Sequence, residues 1–308
     1  MRQSYFKITL KLFIATLFSV IITTVCNAQE PDNVLMKMMP EIPKDITEPA
    51  KRAEYISLHF WDKFDFNDTD FLMKDHLLER CFVDFIDLLS IVPDDTMEKA
   101  VNILMKKSES EKSTFSYILK LSEQYLYSPA SPVYDEEKLI PFMQYALQSS
   151  LLDDIEKIRP NYLFNNISNN RIGHTANDFT YTLISGENGS LHSVGAEYTV
   201  LYFNDPECED CIMLIKQLIA SSIVTDLTKQ SRLKILMTYV NDDIEAWKKH
   251  ASDVPGSWIY SRDTEQKILI EEIFDIKQFP TMYLLDKDKK VLLKDTTFEK
   301  LEDYLKFD

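Results

Sequence analysis

The chain has 308 residues, of which 45% are hydrophobic and 27% are charged, and its formal net charge is −16. This length suits two compact domains, because a single hydrophobic core rarely grows beyond roughly 250 residues. The apolar fraction excludes a chain that is mainly disordered. The acidic balance argues against a protein that binds phosphate backbones, which needs clustered Lys and Arg, and we expect no nucleic-acid partner.

The N-terminus has the pattern of a secretory signal peptide. Basic residues within positions 1–11 precede an apolar run at 12–25, and small residues then suit cleavage after Ala28. We therefore predict that residues 1–28 are a signal peptide and that the mature protein lies in the periplasm. The apolar run is shorter than the roughly 20 residues that span a bilayer as a helix.

Lipoprotein anchoring through Cys26 is an alternative, because this cysteine follows the apolar run. Val25, however, stands where the lipoprotein peptidase prefers Gly, Ala or Ser. We therefore favour cleavage after Ala28, which leaves Cys81, Cys208 and Cys211 in the mature chain.

Residues 29–44 are rich in proline and predict an extended lead-in, and residues 45–165 predict an all-α domain. Thr47 is expected to cap the first helix, with Pro49 in its first turn. Apolar residues at helical spacing predict further helices at 75–90, 94–104, 113–127, 135–149 and 153–164. Cys81 falls on an apolar helix face and is expected to be a buried free thiol.

A polar stretch at 165–177 marks the predicted domain boundary. Beyond it, strand patterns at 179–184, 198–203, 233–240, 258–260, 281–286 and 291–294 alternate with helix patterns at 208–222, 243–252, 264–274 and 298–304. This alternation predicts an α/β domain, a sheet with helices on both faces.

Cys208 and Cys211 form a CxxC motif directly after the strand at 198–203. A strand, a short turn and a helix would place Cys208 at the helix N-terminus, where unpaired N–H groups and the helix dipole favour a thiolate. The second cysteine lies one helical turn further on. We predict that Cys208 attacks a substrate disulfide and that Cys211 resolves the mixed disulfide.

Other uses of a CxxC motif fit less well. A zinc site would need further ligands, yet there is no second CxxC and the five histidines form no closely spaced pair, so we expect no metal. Haem attachment needs His after the second cysteine, where this chain has Ile212. A static bridge stays open, although so short a loop gives little chain-entropy stabilisation.

Residues 172–308 resemble the thioredoxin-like family, in the exported branch that is similar to the cytochrome-maturation reductases. Three motifs carry the resemblance: the entry residues Gly173, Ala176, Asp178 and Phe179, the CxxC pair, and Phe279-Pro280-Thr281 before a strand. The resemblance implies a central mixed sheet flanked by helices and a cis Pro280 beside the cysteines. It also implies that Phe279, Pro280 and Thr281 bind substrate, and that the chemistry needs no cofactor.

The related peroxiredoxins are excluded by their own motif. Their peroxidatic cysteine follows a P-x3-T/S-x2-C pattern, but Leu201 and Asp205 stand seven and three positions before Cys208. The same positions before Cys211 hold Asn204 and Cys208.

Two positions depart from the thioredoxin pattern. Glu207 replaces the usual Trp before the first cysteine, and Tyr202 replaces the buried acid of thioredoxin. The carboxylates of Glu207, Glu209 and Asp210 are expected to destabilise a thiolate on Cys208. A less stable thiolate means a more stable disulfide, which predicts a reductant.

The segment 48–66, with Tyr55, Phe60 and Trp61, resembles an uncharacterised helical module that precedes thioredoxin-like domains in exported proteins of Gram-negative gut bacteria. The whole pattern predicts a periplasmic disulfide reductase. Its partners would be disulfide-containing envelope proteins and a membrane thiol donor that re-reduces the cysteines. The alternative is an envelope binding protein with this fold but little or no redox catalysis.

Overall fold

The structure is a computed structural model that describes residues 38–307. The predicted signal peptide 1–28 and the first part of the lead-in, 29–37, lie outside the described residues. The rest of the lead-in precedes the first helix of the N-terminal region.

Helices dominate the N-terminal region, as the sequence predicts. They are α1 (Pro49–His59), α2 (Thr69–Met73), α3 (Leu77–Leu89), α4 (Asp94–Ser108), α5 (Lys112–Leu126), α6 (Glu136–Gln148) and α7 (Ile158–Ser168).

Three helix starts differ from the prediction. Thr47 does not cap α1, because the N-cap is Glu48, which makes no side-chain cap hydrogen bond. The helix predicted from 75 begins at Leu77, after His76 adopts a left-handed φ of 56° that interrupts a right-handed helix. The last helix begins at 158 instead of 153, and Pro160 lies in its first turn, where the missing N–H is tolerated.

The core of the helical region is built on aromatic side chains. Trp61 and Phe85 are buried with ring centroids 5.3 Å apart, and Phe82 and Phe142 also pack there. Cys81 lies among them as a free cysteine, and burial raises the pKa of its thiol to about 12. The aromatic residues near Trp61 therefore form a core and not a ligand surface.

A mixed sheet forms the centre of the C-terminal region, in the order β2-β1-β5-β4-β3-β6-β7. Its strands are β1 (Thr180–Leu183), β2 (Asn188–Ser190), β3 (Tyr198–Asn204), β4 (Leu233–Tyr239), β5 (Ile259–Arg262), β6 (Thr281–Leu285) and β7 (Val291–Leu293). The central strand β3 is parallel to β4 and antiparallel to β6. All residues of β3 are buried, which fits a strand that lies between two other strands and is covered by helices.

The helices of this region are α8 (Glu209–Ala220), α9 (Ser222–Lys229), α10 (Ile244–Lys249), α11 (Lys267–Ile270) and α12 (Phe298–Phe307). The predicted fold class, a mixed sheet flanked by helices after an all-α region, is confirmed. In residues 38–307 no single helix is long and apolar enough to cross a membrane, and α8 and α9 reach that length only together, across a 67° bend.

Three local predictions in the C-terminal region are corrected. The helix expected at 208–222 ends at Ala220, and Ser221 caps α9, a helix that the prediction missed. The helix expected at 264–274 shrinks to α11, because Gln266 and Glu272 have left-handed φ angles of 54° and 49°. The short strand β2 pairs with β1 as a hairpin and was not predicted.

A buried ion cluster joins the helical region to the sheet region. The ammonium of Lys277 lies 2.5 Å from Glu136 at the start of α6, 2.9 Å from Asp275 and 3.2 Å from Asp295. The second carboxylate oxygen of Glu136 lies 2.7 Å from Lys294. The side chains of Lys277 and Glu136 are only 8% and 6% exposed, so water screens their attraction little.

The charges of Lys277 and Glu136 stabilise one another within the cluster. Burial alone would lower the pKa of Lys277, but the carboxylates of Asp295, Glu136 and Asp275 raise it above its ordinary value. Burial alone would raise the pKa of Glu136, but Lys294 and Lys277 lower it. Burial raises the pKa of Asp295, which accepts a hydrogen bond of 2.6 Å from the Tyr134 hydroxyl.

Removing the central cation should therefore destabilise the protein strongly. We expect Lys277→Met to lower the free energy of unfolding by about 3–5 kcal/mol, because it leaves buried carboxylates without their partner. Urea unfolding followed by circular dichroism measures the change. The control is Lys51→Met, which removes a surface ion pair with Glu54 and should have little effect. Equal stability of the two variants would contradict a stabilising role for the cluster.

Candidate active site

The turn after β3 places Cys208 at the start of α8. The carboxylate of Asp205 accepts hydrogen bonds from the backbone N–H of Glu207 at 2.9 Å and from the side-chain amide of Asn241 at 3.1 Å. The backbone N–H of Cys208 donates to the carbonyl of Asp205 at 3.1 Å. These contacts hold the turn, and Cys208 becomes the N-cap residue of α8.

The two cysteines share the first turn of α8. The backbone N–H of Cys211 points at the Cys208 sulfur at 3.4 Å, so the helix start offers a donor to a thiolate at that position. Both residues are free cysteines in this structure. Cys208 is partly exposed, whereas Cys211 is fully buried.

The loop before β6 lies against Cys208. The Phe279–Pro280 peptide bond is cis, the isomer that the resemblance implies, and the Cys208 thiol lies 3.6 Å from the carbonyl oxygen of Phe279. Pro280 and Thr281 line an adjoining groove of about 320 Å³, the cis-proline groove. Thr281 is buried and its hydroxyl donates to the carbonyl of Gln278 at 2.7 Å, so that hydroxyl is engaged inside the loop.

Tyr202 occupies the position of the missing acid, beneath the cysteines. Its buried hydroxyl donates to the backbone carbonyl of Cys211 at 3.0 Å. Burial raises the pKa of the Cys211 thiol to about 12, and burial also raises the pKa of Tyr202 above its ordinary value. The Tyr202 hydroxyl therefore stays protonated at neutral pH and positions Cys211 without serving as a base.

The predicted acidic flank surrounds the N-terminus of α8. Glu207, Glu209 and Asp210 are all exposed, and none has an ion-pair partner within the described range. Their charges face water beside Cys208, where salt screens them partly. Asp210 also lines the groove that contains Pro280.

Sequence reasoning missed three contributors to the site. The support given by Asp205 could have been expected from the Asn-Asp-Pro turn, since Asp side chains often bond to the backbone two residues on. The ion pair between Glu136 and Lys277, two residues before Phe279, has no local signal because 141 positions separate the partners. Asn204 lines a second cavity, but its position in the sequence indicates only the end of a strand.

The sheet order, the cysteine pair at a helix start and the cis-proline loop together define a thioredoxin-like protein. The chain is 37% identical to a thioredoxin-like protein from Bacteroides caccae and matches its crystal structure with a TM-score of 0.84, over 87% of this chain and 97% of that chain. The chain therefore belongs to the family of thioredoxin-like proteins.

Two further similarities cover one region each. Residues 22–170 match a family described as a domain of unknown function, DUF5106. The C-terminal domain of an uncharacterized protein from Bacteroides fragilis is 43% identical, over 44% of this chain and 98% of that chain, with a TM-score of 0.44. No curated protein matches the chain.

Proposed function

We propose that the protein is a thiol-disulfide oxidoreductase of the cell envelope that reduces disulfides in other proteins. The observation that carries the proposal is the position of Cys208, at the N-terminus of α8 and 3.6 Å from the carbonyl oxygen of Phe279. A partly exposed thiol next to the backbone of Phe279 is placed to meet a peptide and its disulfide together.

The reaction would proceed in two exchanges. The thiolate of Cys208 attacks one sulfur of the substrate disulfide, so that a mixed disulfide forms and the other substrate sulfur leaves as a thiolate. Cys211 then loses its proton and attacks the Cys208 sulfur, which releases the second substrate thiol and forms the Cys208–Cys211 disulfide. Two electrons pass from the cysteine pair to the substrate.

The environment of Cys211 bears on the second exchange. Its raised pKa means that little thiolate exists at neutral pH, and the neighbouring Tyr202 hydroxyl is itself protonated. The departing substrate thiolate is then a suitable proton acceptor, because it forms at the site of the first exchange. This scheme makes resolution slower than in a site with a carboxylate base.

The location and partners belong to the same proposal. The leader pattern at 1–28 supports export to the periplasm, where protein disulfides form and persist. The substrates would be disulfide-containing envelope proteins. Each turnover leaves the pair oxidised, so a membrane thiol donor must return two electrons.

The roles of the two cysteines can be tested by trapping. We expect Cys211→Ser to accumulate covalent mixed disulfides through Cys208, because the resolving thiol is absent, and Cys208→Ser to accumulate few or none, because Cys211 is buried. Non-reducing electrophoresis and mass spectrometry of envelope extracts measure the adducts. Cys81→Ala is the control and should behave as the wild type, and equal trapping by both active-site variants would contradict the assignment.

The acidic flank should set the direction of the reaction. We expect the triple variant Glu207→Gln, Glu209→Gln, Asp210→Asn to have a less negative reduction potential, because removing carboxylates stabilises the thiolate and hence the reduced form. A tenfold gain in thiolate stability corresponds to roughly 30 mV for a two-electron couple, and exposure makes the shift smaller.

Glutathione-buffer titration of the cysteine pair measures this potential. A matched control neutralises three exposed carboxylates elsewhere, at Glu245, Glu265 and Asp303, and should leave the potential unchanged. A flank variant whose potential is unchanged or more negative would contradict the electrostatic explanation.

A further inference from the structure

A second cavity, of about 290 Å³, lies beside the cysteine pair on the other face of α8. Ile212, Ile215 and Ile219 line it, three and four positions apart and so on one helix face. Met213 and Gln217 line the cis-proline groove on the opposite face. Ile212 and Ile219 are 38% and 48% exposed, which leaves an aliphatic wall open to a ligand.

Three side-chain atoms of the polar residues that line this cavity have no hydrogen-bond partner within residues 38–307. Asn204, at the end of β3, is 0% exposed, yet neither its amide nitrogen nor its amide oxygen has a partner among residues 38–307. The buried Nε2 atom of His250 is also without a partner in that range, while its Nδ1 atom lies 2.8 Å from the Asp253 carboxylate. Buried polar atoms are almost always paired in proteins, and Asn204 and His250 are the residues with such unpaired atoms that line this cavity, so a group bound there could pair with them.

The lining defines the chemistry of that group. The side-chain amide of Asn204 carries an NH2 donor beside a carbonyl acceptor. Another amide offers the complementary acceptor and donor. Because isoleucine side chains line the cavity, a ligand that fits it should carry an aliphatic group next to its amide. A cavity of about 290 Å³ is at the small end for ligand sites, which suits one side chain with its peptide group.

We infer that the cavity binds an aliphatic residue of a client polypeptide, with its side chain against Ile212 and Ile219 and its peptide group on Asn204. The inference rests on the proposed function and specifies its substrate class. Pro206, two residues before Cys208, also lines the cavity, and two residues span at most about 7 Å. A client residue near the reacting cysteine would therefore come within reach of the cavity.

Binding can be tested without redox chemistry, in the full chain carrying Cys208→Ser and Cys211→Ser. N-acetyl-leucinamide is titrated into this protein and its binding is followed by NMR. N-acetylglycinamide, which lacks the aliphatic side chain, is the control ligand. We expect saturable binding of the leucine amide, with shifts at Asn204 and Ile212, and about tenfold weaker binding in Asn204→Leu, since one lost hydrogen bond to an amide is of this order.

Two exposed positions on α8 supply a matched pair of variants that should not disturb folding. Ile219→Gln changes the cavity wall and should weaken the binding, whereas Met213→Gln changes the opposite face and should not. No binding, equal binding of both amides, or equal effects of these two variants would overturn the inference.

A kinetic experiment tests whether the amide that the cavity binds belongs to a client polypeptide. The Cys211→Ser variant is reacted with disulfide peptides that differ only in Leu or Gln two residues from the cysteine. We expect the leucine peptide to form mixed disulfide several times faster, with the preference lost in Ile219→Gln. If the free amide binds but the two peptides react equally fast, the assignment of a client polypeptide as ligand is overturned. If neither peptide reacts, the redox function is refuted, and the amide titration still decides whether the cavity binds an aliphatic amide.

Discussion

The ammonium of Lys277 is the charge on which the arrangement of the two regions depends. It lies away from water among three carboxylates, one of which, Glu136, belongs to the helical region. A buried cation without its partners would be strongly unfavourable, so the start of α6 must lie against the segment 275–277. That segment leads directly into Phe279 and Pro280. The helical region therefore helps to fix the loop that faces Cys208.

This constraint gives the N-terminal region a structural part in the site. Tyr134 donates to Asp295 and lines the cis-proline groove, so a helical-region side chain forms one wall beside the cysteine pair. The helix α8 has the groove on one face and the apolar cavity on the other. Cys208 lies between two surfaces of different chemistry, one that mixes charged and apolar side chains and one that is mainly aliphatic.

Strong local patterns made much of the fold predictable. The apolar run of β3 followed by a turn and the CxxC motif predicts a cysteine at a helix start, and the structure places Cys208 there. The helix predicted at 264–274 was too long, because the spacing of apolar residues gives no information about the left-handed φ of Glu272. The contact between Glu136 and Lys277 could not be predicted, since charged residues usually indicate solvated surface and the partners are far apart in sequence. Tyr202 was recognised as a departure, but its hydrogen bond to the Cys211 carbonyl emerges only from the structure.

In the proposed reaction, the departures at Tyr202 and Glu207 would affect the rate and the direction and leave the positions of the two cysteines suited to thiol exchange. The proposed thiol exchange would use Cys208 as the accessible first sulfur, Cys211 as the second sulfur one helical turn away and the backbone of Phe279 as the site for the substrate. A binding protein of this fold would need only the last of them. The two functions differ in whether the cysteine pair turns over.

Reduction of insulin by the chain without residues 1–28, in the presence of dithiothreitol, tests that difference most directly. The disulfides of insulin are cleaved and its B chain precipitates, so turbidity reports turnover. The proposed oxidoreductase should accelerate precipitation well beyond dithiothreitol alone, and Cys208→Ser should abolish the acceleration. A wild-type rate equal to that of dithiothreitol alone would contradict the account and favour a binding protein.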